Sequence, residues 1–246
     1  MYQFFVEPGQ ITGNLITITG NDVNHIKNVL RMKIGEELSV VNGVDGKDYR
    51  CGILEFLQDS VSCQLRAVNE DGLELSSRVY LFQGLPKSDK MELIIQKAVE
   101  LGVYEIIPVS AKRCVVKLDN KKEKNKIDRW QQISEAAAKQ SKRRIVPKIT
   151  EVMSMKEALS YCREFEIKII PYELAEGMQE TKTIFDNLHT GQSIAVFIGP
   201  EGGFEDSEIQ EATKNNVVPI TLGKRILRTE TAGFTVLAWI MYQLEN

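Results

Sequence analysis

The sequence predicts an α/β protein with two domains, a small β-barrel followed by a mostly parallel sheet flanked by helices. In residues 1–72, short apolar runs such as LITI and VSCQL are separated by turn residues, a pattern typical of a small barrel. From Arg78 onward, apolar runs alternate with helical patterns, which is typical of a parallel sheet. The polar stretch NEDG at 69–72 separates the two patterns, so we expect domains at 1–72 and 73–246.

One helix interrupts the N-terminal strands, in DVNHIKNVLRMKIGE at residues 22–36. Its apolar residues recur at helical spacing, so we expect them on one buried face. They are Val23, Ile26, Val29 and Leu30.

The C-terminal helices have recognisable ends. Asp89 and Glu92 have the spacing of a capping box at the start of SDKMELIIQKAVELG, and Ser154 with Glu157 has the same spacing at the start of another helix. KIDRWQQISEAAAKQSK predicts a helix over 126–142, and a final helix is expected from Thr229 onward.

The composition excludes several classes of protein. No apolar run approaches the roughly 20 residues that a membrane helix needs, and no basic leader followed by an apolar stretch is visible. The four cysteines are far apart, without CxxC or zinc spacing, and the chain has two histidines. We therefore expect a cytoplasmic protein with reduced cysteines, no metal site and no membrane association.

Positive charge is concentrated in residues 112–144. This stretch holds twelve Lys and Arg against four Asp and Glu, a net charge of +8, in a chain whose net charge is −3. Such a cluster on an acidic protein is typical of a surface that binds a polyanion. A helix face that carries its charges toward water explains the same pattern, and the cluster alone does not decide between them.

A glycine-rich turn follows one of the apolar runs, in SIAVFIGPEGGFEDSEIQEA at residues 193–212. Its spacing fits neither the dinucleotide fingerprint G-x-G-x-x-G nor the phosphate-binding loop G-x-x-x-x-G-K-[ST]. A plain turn without a ligand remains an alternative for this stretch.

Two further strand ends resemble this turn in position. The runs IKIIPYE and VVPITLG also end in residues suited to turns, and the second continues as LGKRILRTETA. Ligands bind at the carboxyl ends of parallel strands, and glycines let the backbone approach a ligand closely. The three ends therefore predict a pocket for a nucleoside, in which Glu201 and Glu230 would tolerate a cation such as a sulfonium.

These motifs carry a resemblance to a known family. FIGPEGGFEDSE with TLGKRILRTETA closely resembles the C-terminal signature of the RsmE family, and HIKNVLRMKIGE, LPKSDKMELIIQKAVELGVYEIIPV and EAAAKQSKRRIVP resemble its other conserved segments. Family members are SPOUT-class enzymes that methylate N3 of a uridine in small-subunit ribosomal RNA, with S-adenosylmethionine as methyl donor. The segment SKRR at 141–144 is more basic than the family pattern.

The resemblance also implies an architecture and partners. It implies a PUA-like β-barrel at 1–72 and a SPOUT α/β domain at 73–246 whose C-terminal part forms a trefoil knot. It implies a homodimer that acts on small-subunit ribosomal RNA or on the assembled small ribosomal subunit.

The family motifs imply cofactor-binding residues in the glycine turn and in the loop 222–228. The residues expected to bind S-adenosylmethionine are Ile198, Gly199, Pro200, Glu201, Gly202, Leu222, Gly223, Ile226, Leu227 and Arg228. The alternatives are ordinary turns for the glycines and core packing for the apolar residues.

Catalytic roles are expected for Arg228 and Glu230. Arg228 would orient the uracil or stabilise its developing negative charge, unless it only pairs with a neighbouring carboxylate. Glu230 would accept the N3 proton, unless it only stabilises the start of the last helix.

The expected contacts to RNA phosphates are basic residues of both domains. They are Arg31, Lys33, Lys112, Arg113, Arg143 and Arg144, with His25 as a weaker candidate.

Two other functions share part of this pattern. A non-catalytic RNA-binding protein would have the basic cluster but would not need the three converging loops. A nicotinamide-dependent oxidoreductase would use an α/β sheet, but this chain lacks the glycine fingerprint of that class.

Overall fold

The computed structural model describes residues 1–70, 72–116, 120–175 and 177–245. Asp71 of the predicted domain boundary lies outside these residues, as do Lys117 and Asp119 of the basic cluster. The chain divides into two compact units. The first consists of Met1–Glu74 and Ala138–Val146, and the second of Leu75–Ala137 and Pro147–Asn246.

The first unit is built on a six-stranded sheet. Its strands are β1 (Gln3–Phe5), β2 (Ile11–Thr12), β3 (Leu15–Thr19), β4 (Glu37–Val41), β5 (Asp48–Phe56) and β6 (Ser60–Asn69). They lie in the order β1-β4-β5-β6-β3-β2, with β1 parallel to β4 and the other described pairs antiparallel. The pairing of β5 with β6 shifts register twice, and such bulges bend a strand. The curled sheet fits the barrel-like domain that the sequence predicts.

One hydrophobic core fills the inside of this sheet. Alternate residues of β3, Ile16 and Ile18, are fully buried, as expected for a strand with one face on the core. Leu38 of β4 and Ile53 of β5 belong to the same cluster. The apolar runs predicted as strands therefore supply the core of the first unit.

The predicted helix over 22–36 is much shorter in the structure. A single α-helical turn, α1 (Asn21–Asn24), continues as a wider π-helical turn over His25–Val29. The N–H of Leu30 donates to the carbonyl of His25, five residues back, at 2.8 Å. This extra residue in the turn rotates Val29 out of the apolar face, so Val29 is exposed whereas Val23 and Ile26 are buried. The prediction was wrong for the length of the helix and for Val29.

The second unit contains the predicted parallel sheet. Its strands are β7 (Arg78–Gly84), β8 (Glu105–Ser110), β9 (Lys148–Ile149), β10 (Met153–Ser154), β11 (Ile167–Pro171), β12 (Ser193–Ile198) and β13 (Val218–Ile220). The order is β10-β8-β7-β12-β11-β13, with β9 also on β8, and every described pair is parallel. The carboxyl ends of β11, β12 and β13 therefore lie at one edge of the sheet.

Helices cover both faces of this sheet. They are α2 (Lys90–Glu100), α3 (Asn120–Gln140), α4 (Met155–Tyr161), α5 (Met178–Asp186), α6 (Asp206–Lys214) and α7 (Thr229–Leu244). α4 and α6 pack on the face that carries Phe82 and Phe197, whose rings stack 4.4 Å apart. Because side chains alternate along a strand, Gln83 and Ile198 face the other side, where α7 packs on β12 and contacts α2 and α5. The first turn of α7 thus lies beside the end of β12.

The two predicted capping boxes had different outcomes. Ser154 and Glu157 form the predicted box at α4, with the Glu157 N–H donating to the Ser154 hydroxyl. Asp89 makes no side-chain cap at α2. Glu92 instead pairs with Arg129, with 2.8 Å between Oε1 and Nε, so its carboxylate does not fold back onto the helix start.

Within the described ranges, no helix combines the length and the apolar character needed to cross a membrane.

Candidate functional site

A cavity of about 520 Å³ opens at the carboxyl ends of β11, β12 and β13. It is lined by the strand end 171–173, the glycine turn and its flanks at 198–204, the segment 221–223 and the segment 225–229. Lys90, Arg113 and Ala232 complete the lining. The structure therefore brings together the three predicted strand ends, and all ten residues predicted to bind a cofactor line this cavity. Which ligand they bind stays a prediction.

The glycine turn, residues 199–203, leaves little room for a Cβ atom at two of its glycines. A Cβ atom at Gly199 would lie 3.1 Å from Cα of Gly203, and one at Gly202 would lie 3.2 Å from Cβ of Arg113. The turn is fixed by a hydrogen bond of 2.9 Å from the N–H of Gly203 to the carbonyl of Pro200. Glycine at these two positions therefore lets the turn pack closely against its neighbours.

The carboxyl end of β7 packs against this turn. A Cβ atom at Gly84 would lie 2.6 Å from Cδ of Pro200, so only glycine lets the turn rest on the strand. The buried side-chain amide of Gln83 donates to the Thr229 hydroxyl at 3.0 Å, and that hydroxyl donates to the carbonyl of Gly199 at 2.6 Å. These contacts fix the glycine turn to β7 and to the start of α7.

Sequence reasoning did not assign any of these three supporting residues to the site. Two signals were present in RVYLFQGL, namely a polar Gln83 in an apolar strand and a glycine, Gly84, at its carboxyl end. Thr229 was predicted only as the start of a helix. The pairing of β7 with β12, which places Gln83 beside Ile198, could not be read from the sequence.

The pocket loop, residues 222–228, supplies the opposite part of the lining. Gly223 has a φ of +103°, which side chains other than glycine rarely adopt. The Ile226 side chain is 87% exposed, whereas Ile198 is buried. Core packing therefore accounts for Ile198 but not for Ile226, whose apolar side chain is available to cover a ligand.

A cation lies between two carboxylates at the cavity wall. Nζ of Lys90 lies 3.2 Å from Oε1 of Glu201 and 3.3 Å from Oε2 of Glu230. Partial burial alone would raise the pKa of Glu201, but hydrogen bonds from its own backbone, from Lys87 and from Lys90 outweigh burial and hold this pKa below its ordinary value. The hydrogen bond to Glu201 raises the pKa of Lys90. Lys90 therefore bridges the two acidic side chains of this group.

Arg228 lines the cavity with an exposed side chain at the residue before α7. Among the described residues, no carboxylate lies within ion-pair distance of its guanidinium. The described part of the chain therefore offers no partner for the alternative role of Arg228, in which it only forms a salt bridge. Glu230 is the second residue of α7, and its side chain is 15% exposed.

Two residues predicted to contact RNA lie beside the glycine turn. Arg113 donates from Nη1 to the carbonyl of Gly202 at 3.0 Å, and it lines the cavity. Nζ of Lys112 lies 3.3 Å from the carboxylate of Glu205, just after the turn. Both side chains are exposed. Each also contacts the glycine turn or the residues just after it.

The predicted RNA contacts of the first unit are on its surface. Arg31, with a φ of 52°, and Lys33 are exposed and follow the helical turn at 25–29. His25 is also exposed, and its ring packs edge-on against Phe4 at 6.3 Å. Their contact with RNA stays a prediction.

Arg143 and Arg144 are buried, contrary to what the predicted phosphate contacts require. Nε of Arg143 donates to Oε2 of Glu74 at 2.9 Å, and the N–H groups of Arg144 and Ile145 donate to Oε1 of the same carboxylate. Nη1 of Arg144 donates to the carbonyl of Asn69. These two arginines hold the segment 138–146 within the first unit, and their burial argues against contact with RNA phosphates. The charge count could not show this because it does not distinguish exposed from buried charges.

No cluster of His, Cys, Asp and Glu suited to a metal ion is found in the described part of the chain.

Comparison with known families matches both parts of the chain. The family model "RNA methyltransferase domain" matches residues 73–241, and the model "RNA methyltransferase PUA domain" matches residues 18–55.

Curated relatives match nearly the whole chain. Ribosomal RNA small subunit methyltransferase E of Bacillus subtilis is 40% identical over 232 residues, which cover 93% of this chain and 90% of the relative. The enzyme of the same name from Mesomycoplasma hyopneumoniae is 37% identical, with 96% of this chain and 97% of the relative covered.

Solved structures of similar proteins contain a bound cofactor. A ribosomal RNA small subunit methyltransferase E from Neisseria gonorrhoeae, bound to S-adenosyl methionine, is 29% identical with a TM-score of 0.80, and the match covers 98% of this chain and 97% of that one. A putative methyltransferase from Legionella pneumophila, also with bound cofactor, is 30% identical with a TM-score of 0.80 and covers 98% and 96% of the two chains.

Proposed function

The chain belongs to the ribosomal RNA small subunit methyltransferase E family, and on this basis we propose that it transfers a methyl group from S-adenosylmethionine to N3 of a uridine in small-subunit ribosomal RNA. The observation that carries this proposal is the cavity at the ends of β11, β12 and β13, lined by all ten residues predicted to bind the cofactor. The bound S-adenosyl methionine in two similar structures supports the same assignment.

The cavity fits S-adenosylmethionine in size and in chemistry. Its volume of about 520 Å³ is within the ordinary range for small-molecule sites, roughly 300 to 1,000 Å³. Cβ atoms at Gly199 and Gly202 would lie only 3.1 and 3.2 Å from other protein atoms, so the turn needs glycine there to keep its shape at the cavity wall. Ile226 offers an exposed apolar side chain to cover the adenine.

Arg228 and Glu230 are the proposed catalytic residues. When bound, S-adenosylmethionine supplies an activated methyl group on its sulfonium. Arg228 would meet the negative charge that spreads onto the uracil oxygens as the N3 proton leaves, because its guanidinium has no competing carboxylate among the described residues. Glu230 would accept that proton at a carboxylate oxygen. Its carboxylate does not itself line the cavity, but it contacts Lys90, which does.

The RNA would contact both parts of the chain, and we propose a PUA-like RNA-binding domain at 1–72 and a methyltransferase domain at 73–246. Arg31 and Lys33 are exposed in the first of these, and Lys112 and Arg113 are exposed beside the glycine turn. Side chains of this kind give affinity through phosphate contacts. The substrate is small-subunit ribosomal RNA, free or in the assembled subunit, and we place the reaction in the cytoplasm.

Two features of α7 support the finer architecture, a trefoil knot and a homodimer. The chain runs from the edge strand β13 back through the pocket loop to α7, which packs on the central strand β12. The C-terminal segment can form a knot only if the chain passes back from the edge of the sheet to its centre in this way. From Ala232 onward α7 is mostly apolar, yet Phe234 and Met241 are only partly buried and Tyr242 is exposed. A helix of this composition is usually buried throughout, and a second copy of the chain would cover the remaining face.

Transfer of a methyl label tests the proposed activity. The purified protein is incubated with S-adenosylmethionine labelled on the methyl group and with small-subunit RNA, free or in assembled subunits. We expect label in at least one of these substrates and none in large-subunit RNA. Binding of the cofactor without transfer to either small-subunit substrate would contradict the proposal.

A further inference from the structure

Lys90 connects two segments of the cavity wall that are far apart in the chain. It is the first residue of α2. Its ammonium lies 3.2 Å from a carboxylate oxygen of Glu201 in the glycine turn and 3.3 Å from one of Glu230 in the first turn of α7. One cation therefore holds the turn and the last helix at the same corner of the cavity.

The two carboxylates depend on Lys90 to different degrees. Glu201 also accepts hydrogen bonds from the N–H of Lys87, at 3.1 and 3.2 Å to its two oxygens. Oε2 of Glu230 is buried and has no hydrogen bond among the described residues, so it depends on the charge contact with Lys90. A buried carboxylate oxygen without a partner is costly, and Lys90 reduces that cost.

We propose that Lys90 is a positioning residue that couples the glycine turn to α7 and sets the local charge of the cofactor cavity. This inference rests on the proposed function, because it concerns the binding of S-adenosylmethionine. Lys90 would keep Glu201 and Glu230 in place, and the group of one ammonium and two carboxylates would have a net charge of −1.

This charge distinguishes the methyl donor from its product. S-adenosylmethionine carries a positive sulfonium, whereas S-adenosylhomocysteine has a neutral thioether at the same place. A net negative group at the cavity wall favours the sulfonium. Replacing Lys90 by an uncharged residue makes the group more negative, and it also removes the link between the turn and α7. Affinity for both ligands should then fall, while the preference for the cationic one should rise.

The test compares Lys90→Met, Lys90→Arg and Lys97→Met with the wild-type protein. Lys97 is a matched control, since it lies on the same helix and pairs with Glu100 at 2.8 Å but does not line the cavity. Calorimetry gives the Kd of S-adenosylmethionine and of S-adenosylhomocysteine for each variant, and a thermal melt reports folding.

In Lys90→Met, we expect the Kd of both ligands to rise about five- to tenfold, as for loss of a partly buried charge contact. The ratio of the S-adenosylhomocysteine Kd to the S-adenosylmethionine Kd should also rise roughly two- to fivefold, as expected for one added negative charge in a partly solvated site. Lys90→Arg should keep this ratio near the wild-type value, and Lys97→Met should change neither Kd.

Glu201→Gln gives a second, independent test, because it makes the group neutral. The Kd ratio should then fall, which is the direction opposite to that of Lys90→Met, and this test stands even if Lys90→Met does not fold. An unchanged ratio in Glu201→Gln, or an unchanged ratio in a folded Lys90→Met, would overturn the inference. A ratio that responds only to Glu173→Gln, a carboxylate at the end of β11 that also lines the cavity, would overturn it too. Failure of the wild-type protein to bind either ligand would instead contradict the proposed function.

Discussion

The hydroxyl of Thr229 donates a hydrogen bond of 2.6 Å to the carbonyl of Gly199. This bond joins the first residue of the last helix to the first residue of the glycine turn, 30 positions earlier in the chain. Thr229 is buried, and its hydroxyl also accepts from the amide of Gln83. The shape of the cavity wall at the glycine turn therefore depends on the Thr229 hydroxyl.

Thr229→Val should weaken both the fold and the cofactor site. Valine has nearly the shape of threonine but cannot donate to Gly199 or accept from Gln83. The partly buried Gly199 carbonyl loses this donor, and the Gln83 amide keeps only the Gly84 carbonyl as acceptor, at a cost of about 1–3 kcal/mol. We expect a lower Tm and weaker binding of S-adenosylmethionine. Thr229→Ser keeps the hydroxyl and should retain most of the affinity. Equal affinity in the valine variant and the wild-type protein would show that the bond does not shape the cavity.

Gly199→Val should abolish cofactor binding. The φ angle of Gly199 is not in the left-handed region, so the reason is steric, because a Cβ atom would lie 3.1 Å from Cα of Gly203 and 3.3 Å from the Phe204 ring. Calorimetry with S-adenosylmethionine measures the loss. Gly9→Val is the matched control, since nothing lies within 4 Å of a Cβ atom there. Full affinity in Gly199→Val would remove this turn from the cofactor site.

Arg228→Ala should lower the methyl-transfer rate while leaving folding and cofactor affinity nearly unchanged. Removal of one donor that stabilises developing charge costs roughly 100- to 1,000-fold in rate. Arg228→Lys should recover little, because an ammonium does not reproduce the planar fork of donors. Single-turnover kinetics at saturating RNA and cofactor measure the rate. Arg163→Ala, at another exposed arginine, is the control. An alanine variant that melts earlier but keeps its rate would show that Arg228 only supports the fold.

Arg143→Ala should destabilise the protein. The guanidinium of Arg143 and the carboxylate of Glu74 are both largely buried, and removing one partner of a buried ion pair costs about 3–5 kcal/mol. A denaturant melt should show this loss, whereas Lys124→Ala, at an exposed position of α3, should change stability little. If Arg143→Ala melts like the wild-type protein but binds RNA with a smaller salt dependence, the arginine contacts phosphate after all.

Local patterns predicted the larger part of the fold. Apolar runs such as SIAVFIG predicted the buried strands, because a strand buried on both faces is apolar along its whole length. The alternation of strands and helices predicted the parallel sheet. The length of the helix after Gly20 was predicted wrongly, since the spacing of Val23, Ile26 and Val29 does not reveal a π-helical turn. The capping box predicted at α2 does not form. Glu92 pairs instead with Arg129, which is 37 residues away in the chain, and no local pattern shows this.

The residues that line the cavity were predicted more completely than the residues that support it. Glycines after strands marked the turn and the pocket loop, because a tight backbone turn leaves a local signature in the sequence. The contacts of Lys90, Gln83 and Thr229 join segments that are distant in the chain, and they follow from the pairing of β7 with β12. The burial of Arg143 likewise depends on Glu74, and no pattern within the basic cluster indicates it.

Nucleoside analysis of the reacted RNA tests the central claim most directly. Small-subunit RNA is incubated with the protein and S-adenosylmethionine labelled on the methyl group, then digested to nucleosides and separated by liquid chromatography with mass detection. We predict that the label appears in a methyluridine that co-elutes with 3-methyluridine. Label in 5-methyluridine, in a 2′-O-methyl nucleoside or in another base would contradict methylation at N3.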